Sequence, residues 1–130
     1  MEISIKLTAE ESKKFFFTAL CNGMHQMKYY DLEWIIDEEQ YNAARELVVP
    51  NKFGVCRENV IMKMLEMGYT ISLMDLNEDG HDATIGIDDV INNVQLAPVG
   101  HLMDMINDND DADTADVILQ SVFYKDVIFG

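Results

Sequence analysis

From Lys63 to Lys125 the sequence contains no intervening lysine or arginine. Phosphate recognition depends on clustered basic side chains, so this absence disfavours direct binding to nucleic acid or to an anionic membrane. Cysteine is scarce as well. Cys21 and Cys56 stand alone, without CxxC spacing or a secretory signal, and predict reduced structural thiols, buried in the core, in preference to a disulfide or a reactive nucleophile. No apolar run approaches the roughly 20 residues that span a bilayer, and the opening MEISIKLTAEESKK has no apolar h-region. These absences predict a soluble, cytoplasmic protein. GxSxG, HExxH, phosphate-loop and Rossmann glycine patterns are missing too, and Ser4, Ser12, Ser72 and Ser121 have no histidine near them in sequence. His101, Asp104 and Asp108 fall at i, i+3 and i+7 but lack a third well-placed ligand for a metal, and they are expected to be surface residues. Nothing in the sequence supports catalysis, and the expectation is a non-enzyme with no cofactor.

What is present is a folded chain of one domain, residues 1–130. Nearly half of its 130 residues are apolar, which separates it from disordered acidic chains. Ile3, Ile5 and Leu7 alternate with polar residues as a first strand, and Thr8-Ala9-Glu10-Glu11 has capping-box spacing for a helix from about Ala9 to Asn22. Tyr30, Leu32, Trp34 and Ile36 alternate as a second strand within 28–36. Asp37 caps a helix over 38–48, Pro50 lies in a loop over 49–55, and Arg57–Met67 is a further helix stopped by Gly68. Two strands, around Ile71 and Leu73 and around Ile85 and Ile87, flank a Gly-containing turn. Asp88 caps the helix that follows, to about Gln95. A helix over 99–106, a solvated connector Asn107–Asp113 and a last helix capped by Asp113 or Thr114 complete the order β-α-β-α-α-β-β-α-α-α. The apolar Val127-Ile128-Phe129 is expected to dock on the body. This order predicts an α+β fold, a mostly antiparallel sheet of about four strands with helices packed on one face.

The charge is lopsided along the chain. Residues 1–63 carry ten acidic and eight basic side chains, and residues 64–130 carry fourteen acidic and one basic, within a total of −15. Carboxylates without internal cations must face water, a cation or a basic partner. The expected partner-binding residues are Asp75, Glu78, Asp79 and Asp82 in the hairpin, with Asp104, Asp108, Asp110, Asp111, Asp113 and Asp116 around the last helix. Their expected partner is a basic protein surface, such as that of a nucleic-acid-binding protein, held by rows of carboxylates that imitate backbone phosphates. In size and charge the chain resembles the compact acidic inhibitors that phages and mobile elements encode against nucleases.

Two alternatives come from the same residues. Asp75-Leu-Asn77-Glu-Asp79-Gly80 matches the first half of an EF-hand loop, so Asp75, Asn77 and Asp79 could hold calcium or another divalent cation. The match ends there: Asp82 replaces the inward aliphatic residue, Gly86 replaces the bidentate Glu, and a hairpin turn explains the composition. The other alternative is a structural subunit of a larger assembly, including a homodimer formed through an exposed strand edge. Methionines 62, 64, 67, 74, 103 and 105 are expected to fill the core.

Overall fold

The computed structural model of the protein describes residues 4–130. Helix α1, Ala9–Gly23, starts where the capping box places it: Thr8 Oγ1 accepts the Glu11 N–H at 3.1 Å, and Glu11 Oε1 accepts the Thr8 N–H at 2.9 Å. Phe16, Ala19 and Leu20 on its inner face are almost fully buried. A 3-10 helix, Met24–Tyr30, continues α1 and ends at Asp31 in the left-handed conformation, φ 57°.

The described residues form an α+β structure with a three-stranded antiparallel sheet, which corrects the expectation of about four strands. The expected first strand is absent over Ser4–Thr8, and Ile3 lies outside the described residues. Alternation at Ile5 and Leu7 satisfies half-burial without a neighbouring strand, because the Leu7 N–H donates to the Gln95 side-chain carbonyl at 3.3 Å. The second expected strand is also shorter than its alternation suggests, since β1 is only Leu32–Ile35. Tyr30 belongs to the 3-10 helix, and the Trp34 indole N–H donates back to the Met24 carbonyl at 3.0 Å, tying the strand to that helix.

Strand β2, Ile71–Asp75, lies between β1 and β3, Ala83–Ile85. Leu32 faces Asp75, Trp34 faces Leu73, and Ile71 faces Ile85. Side chains alternate as the pleat requires. Leu32, Ile71, Leu73 and Ile85 are buried in the core, whereas Ile35, Met74 and Glu33 lie on the opposite, open face. Among the described residues neither β1 nor β3 has a second strand partner.

Helices α2, Glu38–Arg45, and α3, Arg57–Glu66, pack on one another, and α3 packs on α1. They are joined through a tight turn in which Asn51 and Gly54 exchange backbone hydrogen bonds at 3.0 Å. Helix α4, Ile87–Asn93, begins two residues earlier than expected. Asp89 takes the capping part, accepting the Gly86 N–H at 2.8 Å, in place of Asp88. Helix α5 is Val99–Ile106 and α6 is Ala112–Tyr124. The cap of α6 is Asp111, whose carboxylate accepts the Thr114 N–H at 2.9 Å, and not Asp113 or Thr114. Met62, Met64 and Met105 fill the core as expected, but Met67, Met74 and Met103 are partly exposed. Cys21 is exposed and Cys56 half-buried, both as free thiols, which corrects the buried reading for Cys21. Partial burial of its thiol, with the Glu58 carboxylate and Cys56 nearby, pushes Cys21 up to about 11, so it is not a thiolate at neutral pH.

Helix α6 is the centre of the packing. Ala115, Ile118, Leu119 and Val122 are buried, and α6 touches α1, α4, α5 and β3. Its contact with α1 is so close that a Cβ built on Gly23 would stand 2.8 Å from the Ala115 Cβ and 3.3 Å from the Ala115 carbonyl carbon. Every buried side-chain nitrogen and oxygen among the described residues has a hydrogen-bond partner. Gly23→Ala is therefore expected to destabilise the fold by about 1–3 kcal/mol through overpacking. The double variant Gly23→Ala/Ala115→Gly should recover part of that loss. Equilibrium denaturation of the three chains measures both effects, and an unaltered Gly23→Ala midpoint would refute the close-contact account.

Candidate functional site

The hairpin turn is built around one carboxylate. Asp75, only 6 % exposed, accepts the Asn77 N–H at Oδ1 (2.9 Å) and the Asp79 and His81 N–H groups at Oδ2 (3.1 and 3.3 Å). The His81 ring Nδ1 lies 3.3 Å from the same Oδ2. Asp82 completes the turn by accepting the Asp75 N–H at 2.6 Å, and Glu78 adopts the left-handed conformation at φ 57°. Burial of the Asp75 carboxyl works against its charge. The backbone donors of Asn77, His81 and Asp79, with the His81 ring beside them, outweigh that and hold it below the usual carboxylate range. Glu78, Asp79 and Asp82 are exposed around this strut.

Both Asp75 oxygens are thus taken by hydrogen-bond donors, and the Asn77 amide donates to Asp31 at 2.9 Å. A cation at Asp75, Asn77 and Asp79 would have to displace these bonds. No group of three or more His, Cys, Asp or Glu side chains among the described residues is placed to share a metal ion.

The second set of acids surrounds the start of α6. Asp108 follows α5 in the left-handed conformation, Asp110 accepts the Asn22 amide at 3.2 Å, and Asp111 caps α6. The Thr114 N–H is the main reason that Asp111 lies below its ordinary range. Asp104 is half-buried on α5, three residues after His101, whose Nδ1 is 3.0 Å from Thr114 Oγ1. Asp113 is exposed in the first turn of α6, and Asp116, half-buried, accepts the Tyr30 hydroxyl at one oxygen and the Gln120 amide at the other.

An aromatic cluster joins the two sets. Tyr30 stacks on Phe129 with ring centres 4.9 Å apart, Phe129 meets the His81 ring edge-on at 5.1 Å, and the Tyr124 hydroxyl donates to the His81 carbonyl at 2.8 Å. Burial, the hydrogen bond to Asp116 and the charges of Asp116 and Asp113 push Tyr30 up to about 12. Burial with the charges of Asp75 and Asp82 does the same to Tyr124, also to about 12. One phenol feels the α6 acids and the other the hairpin acids, so carboxylates some thirty residues apart in sequence border the same group of rings. Beside the rings is a cleft of about 440 Å³ lined by Tyr30, His101, Asp113, Asp116, Gln120 and Phe129, among others.

No protein-family model matches the chain, and no curated protein or solved structure is similar to it. The reading of this face therefore rests on its own chemistry.

Gln120 is the residue that sequence reasoning missed. It is 1 % exposed, its carbonyl accepts the Ile128 and Phe129 N–H groups at 2.8 and 2.9 Å, and its NH2 donates to the Phe129 carbonyl at 3.3 Å and to Asp116 at 3.0 Å. It holds the segment after α6 by its backbone, as the docking of Val127–Phe129 requires. A glutamine inside the apolar stripe of α6, followed by a further apolar segment, is the signal that could have revealed this contact.

The Asp75 strut gives a pH signature. Its folded-state pKa is depressed, so its stabilisation is fully present above the unfolded value near ~3.9 and is lost as pH falls through the folded value. Asp75→Asn should melt below the unaltered chain at pH 7, with the gap narrowing toward pH ~2. Thermal melts of both chains across that range measure it, and a gap independent of pH would refute the strut.

Proposed function

We propose that this protein is a non-enzymatic binding protein that docks a basic surface of another macromolecule on the acidic face formed by the hairpin, the α5–α6 connector and the start of α6. One observation carries the reading: the hairpin and α6 acids border one aromatic cluster, and no lysine or arginine near them in sequence offsets their charge. The ion pairs found among the described residues are Lys13–Glu10 and Arg57–Glu58, and neither belongs to this face, where the His81 ring lies beside Asp75. Carboxylates left in this state steer a cationic partner toward them and repel anionic ones, an effect that salt screens over about 10 Å at 0.1 M.

In its sharper form the partner is a nucleic-acid-binding protein, and the rim of Glu78, Asp79, Asp108 and Asp113 stands in for phosphates, as in acidic inhibitors of nucleases carried by phages. A rigid mimic needs its charges fixed on ordered backbone. The turn held by Asp75 and the α6 start held by Asp111 supply that for the two ends of the face. The cytoplasm, where such partners work, is the compartment consistent with two free thiols. The reading of a subunit within a larger assembly is supported by a separate feature, the open sheet face with Ile35 and Met74 partly exposed beside two strand edges that are unpaired among the described residues.

The test uses poly-L-lysine as the basic probe. Binding is expected at low salt and should weaken steadily as salt rises. Glu78→Lys/Asp79→Lys/Asp113→Lys should reduce affinity by roughly tenfold or more, equivalent to about 1.4 kcal/mol. The control Glu39→Lys/Glu46→Lys/Glu66→Lys makes the same change of net charge on α2, α3 and their connection, away from this face. Titration calorimetry on both chains separates a docking face from bulk charge, and equal losses in the two would sink the proposal.

A further inference from the structure

We propose that the turn between α2 and α3 is a dimer contact, in which Phe53 of each copy of this chain enters a hollow beside the same turn of the other copy. The inference goes beyond the docking reading and does not rest on it. The turn belongs to the first half of the chain and the acidic face to the second.

Phe53 is 87 % exposed, Val49 89 % and Leu47 58 %, so three large apolar side chains close together in the chain face water. Single exposed apolar residues are ordinary, but a group of them on one turn marks an interaction site. The turn is built to present its tip. The Phe53 N–H donates to Asn51 Oδ1 at 2.8 Å, Asn51 and Gly54 exchange main-chain hydrogen bonds at 3.0 Å, and Gly54 takes φ 102°, which glycine adopts without strain. The Lys52 ammonium lies 4.9 Å from the centre of the Phe53 ring. An aromatic side chain on backbone fixed in this way gives up little conformational freedom when a partner covers it. Beside the turn, Leu47, Val49 and Met62 form the apolar part of a hollow of about 290 Å³, and Asn59, Lys63 and Glu66 its polar part. An apolar cavity of ~150 Å³ holds a benzene molecule, so a phenyl ring fits this hollow.

Charge and shape together favour a second copy as the occupant. Two molecules of net charge −15 repel one another wherever their acids meet. Residues 45–66 do not share that excess: they hold four basic side chains, Arg45, Lys52, Arg57 and Lys63, against three acidic, Glu46, Glu58 and Glu66. Two copies can therefore approach through this patch, and Lys52, which accompanies the entering ring, meets a hollow with Glu66 in its wall. Protruding ring and hollow belong to the same patch, so one twofold axis satisfies both copies together and closes the pair. An aromatic side chain contributes roughly 150–250 Å² of contact, only part of the ~800 Å² that each partner of a stable complex buries. The pair should accordingly be weak, with a dissociation constant on the order of 10–100 μM.

Sedimentation velocity of the full chain over a series of concentrations provides the test. Monomer and dimer in exchange are expected, and raising salt from ~0.05 to ~0.5 M should shift them toward dimer, because screening shortens the reach of the repulsion. That direction is opposite to the one expected for a basic partner on the acidic face. Phe53→Ser alters an exposed side chain and should weaken dimerisation at least ~10-fold. Asn59→Lys fills the hollow and should weaken it as well, although by lowering the net negative charge it would strengthen an association governed by charge alone. Ile35→Ser/Met74→Ser, on the open sheet face, should leave the dimer as it was. A chain that stays monomeric at every concentration and salt overturns the proposal, and so does a dimer kept in Phe53→Ser or lost in the sheet-face variant. Loss in Phe53→Ser without loss in Asn59→Lys overturns the hollow as receiver of the ring, and growth past the dimer overturns twofold closure.

Discussion

The packing of α1 against α6 sets the position of everything else. Because Gly23 meets Ala115 with no room for a side chain, the two helices approach closely at the point where α1 gives way to the 3-10 helix. That closeness carries Tyr30 over the first turns of α6, within reach of Asp116, and brings β1 into the sheet with Trp34 tied to Met24. A larger residue at either position would push the 3-10 helix outward and separate the ring of Tyr30 from that of Phe129.

With so few cations in the second half of the chain, its inward-turning acids are satisfied by neutral donors. Asp75 takes backbone N–H groups, Asp111 the end of a helix, Asp110 an asparagine amide, and Asp116 a phenol and a glutamine amide. Neutral donors hold these carboxylates without cancelling their charge, unlike a salt bridge, and at Asp75 and Asp111 they also hold the carboxyl below its usual range. The bonded carboxylates are therefore fixed in place by neutral partners.

Local signals were legible in the sequence, and contacts between distant segments were not. Thr8 and Glu11 declare the start of α1, and Ile71, Leu73 and Ile85 declare the hairpin, because each depends on neighbours within a few residues. Alternation misled at Ile5-Leu7 and at Tyr30, since a period of two reports half-burial, which a side-chain partner or a 3-10 turn can also provide. The cap of α6 falls on Asp111 instead of Asp113 or Thr114 because all three are residue types that can cap a helix, and the hydrogen bond to the Thr114 N–H distinguishes them. The acids of the face were visible as a charge asymmetry. That Asp75, Asp82, Asp113 and Asp116 border one set of rings was not, because the link runs through Tyr30, His81, Tyr124 and Phe129, and no spacing rule connects those positions.

Among the described residues the three-stranded sheet leaves β1 and β3 without outer neighbours, with Glu33 on one strand and Asp82 beside the other. In neutral solution such carboxylates oppose the addition of a second acidic chain to either edge, a protection that natural sheets commonly obtain from charge. Protonation removes it. Near the isoelectric point of about 4.2 copies no longer repel one another, while the Asp75 carboxylate, held below its usual range, still shapes the turn beside β3. Acidified samples would therefore favour strand-to-strand growth into fibrils over orderly precipitation, through the same edges that stay silent at neutral pH.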